Sequence, residues 1–180
     1  MRRYRWADED ADLAWTVAVT SGRSVGQVVR AYGGDTLVGR LSFAEAAVGP
    51  GELGAVSLLR VQEVGEHVVV VENNGWRGKA AGVAERASAG NGTFLSVFWN
   101  LNANYKVTQA ADGQLTASFD PLTVQHPAPP GEVYPPWITD VVFTDGALHA
   151  ELLAVLEHET GLAFDPAWLD TAWPTYRALA

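Results

Sequence analysis

The 180-residue sequence contains no cysteine, which excludes disulfide bonds, thiolate metal ligands and a cysteine nucleophile. It also contains no apolar run close to the roughly 18 residues that a membrane-spanning helix needs. Residues 1–12, MRRYRWADEDAD, lack the apolar segment of a secretory signal peptide. From these absences we expect a cytoplasmic protein that does not enter a membrane.

Positive charge is scarce as well, because 12 Lys and Arg residues stand against 21 Asp and Glu residues, a formal net charge of -9. A protein that neutralises phosphates needs a basic surface, so we expect no nucleic-acid partner. The one basic cluster, Arg2, Arg3 and Arg5, is interpreted as a solvated tail. An acidic surface suits a protein partner with a basic surface, but it also keeps any protein soluble, so charge alone leaves the partner open.

The familiar catalytic motifs are missing too. Ser96 and Ser118 lie inside predicted strands, and the sequence has no G-x-S-x-G. His149 and His158 are nine residues apart on one predicted helix, which places them on opposite faces and excludes a helical zinc pair. The glycine segments YGGD and VGPGELG lack phosphate-loop spacing. We therefore predict no catalytic residue, no metal site and no cofactor.

Strand patterns dominate the middle of the chain. The four valines at 68–71 predict a strand that is apolar on both faces and needs cover on both. A β-branched segment at 53–64 and a turn near Gly65 make it half of a hairpin. Residues 93–101, 105–110 and 114–120 continue the pattern, and Asp112-Gly113 supplies a second hairpin turn. The sheet is therefore expected to be mainly antiparallel.

Helices are predicted towards both ends of the chain. Residues 11–21 and 24–33 read as a helical hairpin, the second helix having a capping-box pair in Ser24 and Gln27. Residues 80–89 form an alanine-rich helix, residues 42–47 a short helix, and residues 36–38 a brief strand. Thr144 caps a helix that ends at Gly161, and Asp165-Pro166 begins a last one. We predict one α+β domain spanning 1–180, with an irregular proline-rich connection at 121–143.

Polar side chains follow two of the predicted strands. Glu72, Asn74 and Trp76 come directly after the valine strand, and Asn100 and Asn102 lie near the end of another. Amides and an aromatic face are typical of a site that orients a polar ligand. The alternative is turn chemistry, because Asn tolerates left-handed backbone and bonds its own main chain.

Two extensions of this cluster are also considered. If the second strand persists, Asn100, Asn102 and Asn104 have the period of two that lines one face of a strand with amides. Asp120 ends a further strand, and a pair formed with Glu72 would suit acid-base work or a hard cation. Asp120 before Pro121 is equally typical of an element that simply stops. The candidate ligand-binding residues are thus Glu72, Asn74, Trp76, Asn100, Asn102 and Asp120.

Four segments in this order, a paired-helix start, VVVVENNGWRG, LSVFWNLNANYK and DGQLTASFDP, resemble an uncharacterised actinobacterial family known as DUF6461. The resemblance covers about residues 13–121. Its densest matches are 72–78, the region of Asn100 and Asn102, and 119–121. The resemblance implies one domain and a bacterial source, and it implies no activity, substrate or catalytic residue.

We expect a non-enzymatic bacterial protein that engages a partner through its acidic surface, for example an immunity or defence factor. The negative charge and the missing motifs favour this interpretation. The alternative is a small-molecule-binding protein or an enzyme with a polar Asn, Glu and Trp site at the end of the sheet. Convergence of those side chains on one pocket would distinguish the two. The sequence leaves the oligomeric state open.

Overall fold

The computed structural model describes residues 2–9, 14–48, 55–144 and 146–179. Eight strands form one antiparallel sheet in the order β2-β8-β3-β4-β1-β5-β6-β7. The strands are β1 Trp15–Ser21, β2 Gly34–Leu41, β3 Val56–Val64, β4 His67–Asn73, β5 Thr93–Trp99, β6 Tyr105–Ala111, β7 Gln114–Phe119 and β8 Trp173–Leu179. The α-helices are α1 Trp6–Glu9, α2 Val25–Ala31, α3 Ala81–Ser88, α4 Leu148–Thr160 and α5 Ala167–Asp170. The predicted α+β class and the mainly antiparallel sheet are confirmed.

Both faces of the sheet carry a hydrophobic core, as the valine strand requires. Val69 and Val71 pack in the core that α1 and α4 cover. Val68 and Val70 face the opposite core, beneath α2 and α3. The alternation follows from the pleat, which sends successive side chains to opposite faces. Both predicted hairpins form, β3 with β4 and β6 with β7.

The predicted N-terminal helical hairpin is wrong, because only its second helix is present among the described residues of this segment. Residues 11–13 lie outside the described residues, and Trp15–Ser21 is strand β1 between β4 and β5. Six of its seven residues are buried, so its side chains need cover on both faces and no single apolar stripe is left for a helix. Helix α2 is confirmed, and the Ser24 backbone N–H donates to Gln27 Oε1 at 2.9 Å.

The C-terminal end also differs from the prediction. The last helix is only Ala167–Asp170, and strand β8 follows it, inserted between β2 and β3. β8 accommodates Pro174 because its other residues pair with β2 on one side and β3 on the other. Both partner strands are distant in the sequence, so no local pattern predicts this pairing. Helix α4 begins at Leu148, after the predicted cap at Thr144.

The remaining segments are short or irregular. Residues 43–46 form turns where a short helix was predicted, and the brief strand at 36–38 is part of the longer β2. Residues 121–143 contain two 3-10 turns, Pro121–Thr123 and Pro136–Asp140, and one bridge from Val133 to Ser118. Within the described ranges, every helix is too short or too polar to cross a membrane.

Candidate functional site

The segment that follows β4, residues 74–79, crosses one face of the sheet, and we call it the strap. Three hydroxyls of the sheet donate to its carbonyls: Thr16 Oγ1 to Gly75 O at 2.7 Å, Ser96 Oγ to Gly78 O at 2.7 Å, and Thr108 Oγ1 to Lys79 O at 3.0 Å. These donors belong to β1, β5 and β6, which are neighbours in the sheet. The strap is therefore fixed over three adjacent strands by side chains that sit in their buried faces.

Glu72 anchors the same segment from below. Its carboxylate accepts the backbone N–H of Gly78 at 2.8 Å and that of Arg77 at 3.1 Å, and the residue is 1% exposed. Burial raises the pKa of Glu72 to about 7, and the two N–H donors and the charge of Arg77 only partly oppose this effect. Glu72 is thus a buried acceptor for the strap and does not face solvent.

Two glycines allow the strap to lie this close to the sheet. A Cβ at Gly75 would stand 2.6 Å from Glu72 Cβ, and one at Gly78 would stand 2.8 Å from both Thr16 Cγ2 and Tyr32 Oη. Real Cβ contacts are longer, so any side chain would push the strap away from Glu72. The segment 72–79, ENNGWRGK, therefore combines the hydrogen-bond acceptor Glu72 with two glycines, whose lack of a side chain lets the backbone approach that carboxylate.

The strap presents Trp76 at the end of the sheet with 41% of its surface exposed. Two cavities, of about 280 and 350 Å³, meet at Trp76 and Phe98, and together we call them the Trp76 groove. The first is lined by Ala14, Trp15, Asn74, Trp76, Phe98, Trp99, Asn100, Leu101 and Asn102. The second is lined by Trp76, Lys79, Ala80, Phe98, Asn104, Tyr105 and Lys106.

Four of the six predicted ligand-binding residues, Asn74, Trp76, Asn100 and Asn102, line the first cavity together. The backbone around them also uses turn chemistry. Asn74 has a φ of 52° and donates its backbone N–H to Ala14 O, while Asn100 Oδ1 accepts the backbone N–H groups of Asn102 and Asn104. The row of amides on one strand face is wrong, because β5 ends at Trp99 and the chain turns.

Glu72 and Asp120 do not meet. β4 and β7 are separated by three strands, and four spacings of about 4.8 Å place the two acids roughly 19 Å apart. Asp120 instead caps the turn Pro121–Thr123, where its Oδ1 accepts the Leu122 N–H at 2.9 Å. The acid pair considered for catalysis or for a cation is therefore wrong.

The two lysines of the second cavity were not identified as site residues from the sequence. Lys106 is the cross-strand partner of Phe98, and Lys79 places its Nζ 4.2 Å from the centre of the Phe98 ring. The register that joins β5 to β6 is what brings these side chains together, and neither residue stands out in the linear sequence. Scarcity was the one available signal, since the chain contains only two lysines.

A second groove lies beside α4, and we call it the acidic groove. Its cavity is about 390 Å³ and is lined by Trp137, Asp140, Val141, Val142, Glu151, Ala154, Val155, His158 and Glu159. Val142 is 79% exposed, whereas Glu151 is buried and accepts the Thr144 N–H at 2.6 Å. The groove therefore has an apolar wall and exposed or half-buried acids at its edge.

The histidines take part in packing and surface contacts. His149 stacks on Trp99 with ring centres 4.5 Å apart, and its Nδ1 lies 3.0 Å from Ala7 O. His158 Nδ1 is 3.0 Å from the carboxylate of Glu159. In the part of the chain that the structure describes, no three His, Asp or Glu residues are grouped so that they could hold a metal ion.

The Trp76 groove lies entirely within the part of the chain that matches a known family. No curated protein and no solved structure matches the chain. The model of one family of unknown function matches residues 1–129, which include the strap, its anchors and both cavities beside Trp76, but neither α4 nor β8. Because this match spans more than half of the sequence, the chain belongs to the DUF6461 family.

Proposed function

We propose that this chain is a non-enzymatic binding protein that holds a small polar ligand in the Trp76 groove. The observation that supports this most directly is the exposed indole of Trp76 on a strap whose backbone is bonded to Glu72, Thr16, Ser96 and Thr108. A backbone held in this way needs little further ordering when a ligand binds to Trp76, so more of the contact energy remains as affinity.

The lining of the groove favours binding over chemistry. Its first cavity offers amides from Asn74, Asn100 and Asn102 beside aromatic rings, the combination that orients a polar ligand. Glu72, the acid that would act as a general base, is buried behind the strap and accepts two backbone N–H groups. Glu72 is not among the residues that line either cavity, which disfavours a role as a general base for a ligand in the groove.

We expect Trp76→Ala to weaken ligand binding about 30-fold, because an aromatic anchor contributes about 2 kcal/mol. The measurement is ligand-observed NMR of a small-metabolite extract with the wild-type protein, followed by titration of each metabolite that binds. Leu37→Ala is the control, since Leu37 is 57% exposed on the edge strand β2. A wild-type protein that retains no metabolite, or binding that Trp76→Ala leaves unchanged, would contradict the proposal.

A protein partner is the second proposal, and the acidic groove supports it. An apolar wall that includes Val142 lies beside Asp140 and Glu159, which suits an amphipathic segment carrying Lys or Arg. The net charge of -9 would also accelerate the encounter with a basic partner. Through this groove the protein would act as an interaction factor independently of the Trp76 groove.

We expect Val142→Asp to release such a partner, because it places a charge in the apolar wall. The measurement is affinity capture from lysate, in which a basic protein should be retained in stoichiometric amount by the wild type. Leu122→Asp, which changes an exposed apolar residue outside the groove, is the matched control and should retain it. Equal recovery by Val142→Asp and the wild type would exclude this groove as the docking surface.

A further inference from the structure

We propose that the ligand of the Trp76 groove is a planar anion, whose ring stacks on the indole of Trp76 while its carboxylate or phosphate lies between Lys79 and Lys106. This inference rests on the proposed function of that groove and adds the chemical class of the ligand. A carboxylate and a phosphate both carry a compact negative charge on oxygen atoms that accept hydrogen bonds from ammonium groups.

The distribution of lysine is the first observation. The chain has only two lysines, and both line the second cavity of the groove. Lys79 comes from the strap and Lys106 from β6, so two separate elements bring them together. Their common neighbour is Phe98, which pairs with Lys106 across the sheet and lies under the Lys79 ammonium group at 4.2 Å.

The second observation is that these charges are not neutralised. Among the described residues, neither lysine takes part in a salt bridge, although the chain has 21 acidic residues. Both side chains are half-buried, and burial together with repulsion from Lys106 lowers the pKa of Lys79. A bound anion would attract both ammonium groups and so offset the repulsion between them.

The third observation is the arrangement of flat and polar groups around the two charges. Trp76 belongs to both cavities, so a ring placed on its indole extends from the lysines towards the amides of Asn74, Asn100 and Asn102. Stacking on an aromatic side chain contributes about 1–3 kcal/mol for a planar base and does not depend on its identity. A ligand that carries both a ring and an anion would therefore engage the whole groove.

Calorimetric titration with two matched pairs of probes tests this inference. Adenosine monophosphate is compared with adenosine, and indole-3-acetate with 3-methylindole. We expect the charged member to bind at least 10-fold more tightly in one pair or both, and the pair that shows the preference identifies the anion as a phosphate or a carboxylate. The preference should decrease as salt is added, because ions screen the two charges.

Variants then assign the preference to the two lysines. Lys79→Met with Lys106→Met should abolish it, and Lys79→Arg with Lys106→Arg should retain it. Arg30→Met removes one exposed charge from α2, away from the groove, and should leave it unchanged. Thermal unfolding of each variant shows whether the fold is intact, and the arginine variants keep the test decisive if the methionine variants are unstable.

Several outcomes would overturn the inference. Equal affinity within both pairs, or a preference that survives in the methionine variants, excludes the lysines as the anion site. Binding of inorganic phosphate as tight as that of adenosine monophosphate excludes the ring. If extract metabolites bind through Trp76 but bind equally well to the methionine variants, the groove holds an uncharged ligand, so the proposed function stands and this inference fails.

Discussion

Replacing Arg60 by methionine is expected to lower the free energy of unfolding by about 3 kcal/mol, because three carbonyl groups lose a charged hydrogen-bond donor. Arg60 is fully buried, and its guanidinium donates to Leu41 O at 3.1 Å, Trp168 O at 2.5 Å and Thr171 O at 2.7 Å. The same group lies 5.0 Å from the centre of the Trp173 ring. Burial lowers the pKa of Arg60 to about 10, which still leaves it charged at neutral pH.

Urea denaturation of the two proteins measures this loss. Arg40→Met is the matched control, because Arg40 also donates to a carbonyl of the C-terminal segment, Ala172 O at 2.8 Å, but from an exposed position. We expect that control to lose less than about 1 kcal/mol. If Arg60→Met were no more destabilising than Arg40→Met, the carbonyl contacts of Arg60 would contribute little to stability.

The position of Arg60 also explains how the two parts of the chain are joined. Arg60 lies on β3 inside the family-matched region, whereas two of its three acceptors belong to residues beyond 129. In the described ranges, β2 pairs with β8 alone, and β8 in turn pairs with β3. Residues 1–129 therefore reach their complete sheet only when the C-terminal strand is inserted, and Arg60 holds the segment that leads into it.

The sequence was sufficient for elements whose partners are close in the chain. The β3-β4 hairpin, the β6-β7 hairpin and α3 follow from local turns and periodicity, and all three are present. The same local patterns predicted helices where β1 and β8 are found, because distant strands decide the structure of both segments. β1 is covered on both faces and β8 fills a gap between two edges, so tertiary pairing overrode the local pattern in both.

The candidate site was predicted only in part for the same physical reason. Asn74 and Trp76 follow a recognisable strand and turn, and they do line a cavity. Glu72 was predicted to bind ligand. Because side chains alternate between the two faces along β4, the Glu72 carboxylate lies on the face that the strap covers. Lys106 required the β5-β6 register, which residue spacing along one strand does not contain.

Glu72 is expected to make the protein less stable as the pH rises from about 4.5 to about 7. The folded pKa is about 7 and the ordinary value is 4.5, so in this window the folded state binds the proton more tightly than the unfolded state. Stability is then greatest below the ordinary pKa and is lost as the pH approaches 7. A difference of this size corresponds to about 3 kcal/mol, since each pKa unit is about 1.4 kcal/mol.

Comparison with Glu72→Gln isolates this contribution, because glutamine cannot titrate and keeps a similar shape. The difference in unfolding free energy, wild type minus variant, should fall by about 3 kcal/mol between pH 4.5 and 7.5, as measured by urea denaturation across that range. Glu85→Gln, on the exposed side of α3, is the control for the Glu-to-Gln change itself. A constant difference for Glu72→Gln would mean that the carboxylate is not destabilised by burial.

The same substitution also tests the strap, because Glu72 accepts the backbone N–H groups of both Arg77 and Gly78. Tyr32, whose buried hydroxyl has no partner among the described residues, lies beside Glu72, and burial together with the charge of Glu72 raises the pKa of that hydroxyl well above its usual value. In Glu72→Gln only one of the two N–H groups can retain an acceptor oxygen. Hydrogen exchange at Arg77 or Gly78 should therefore accelerate in the variant while amides in α4 remain protected, which would connect the buried acid to the position of Trp76.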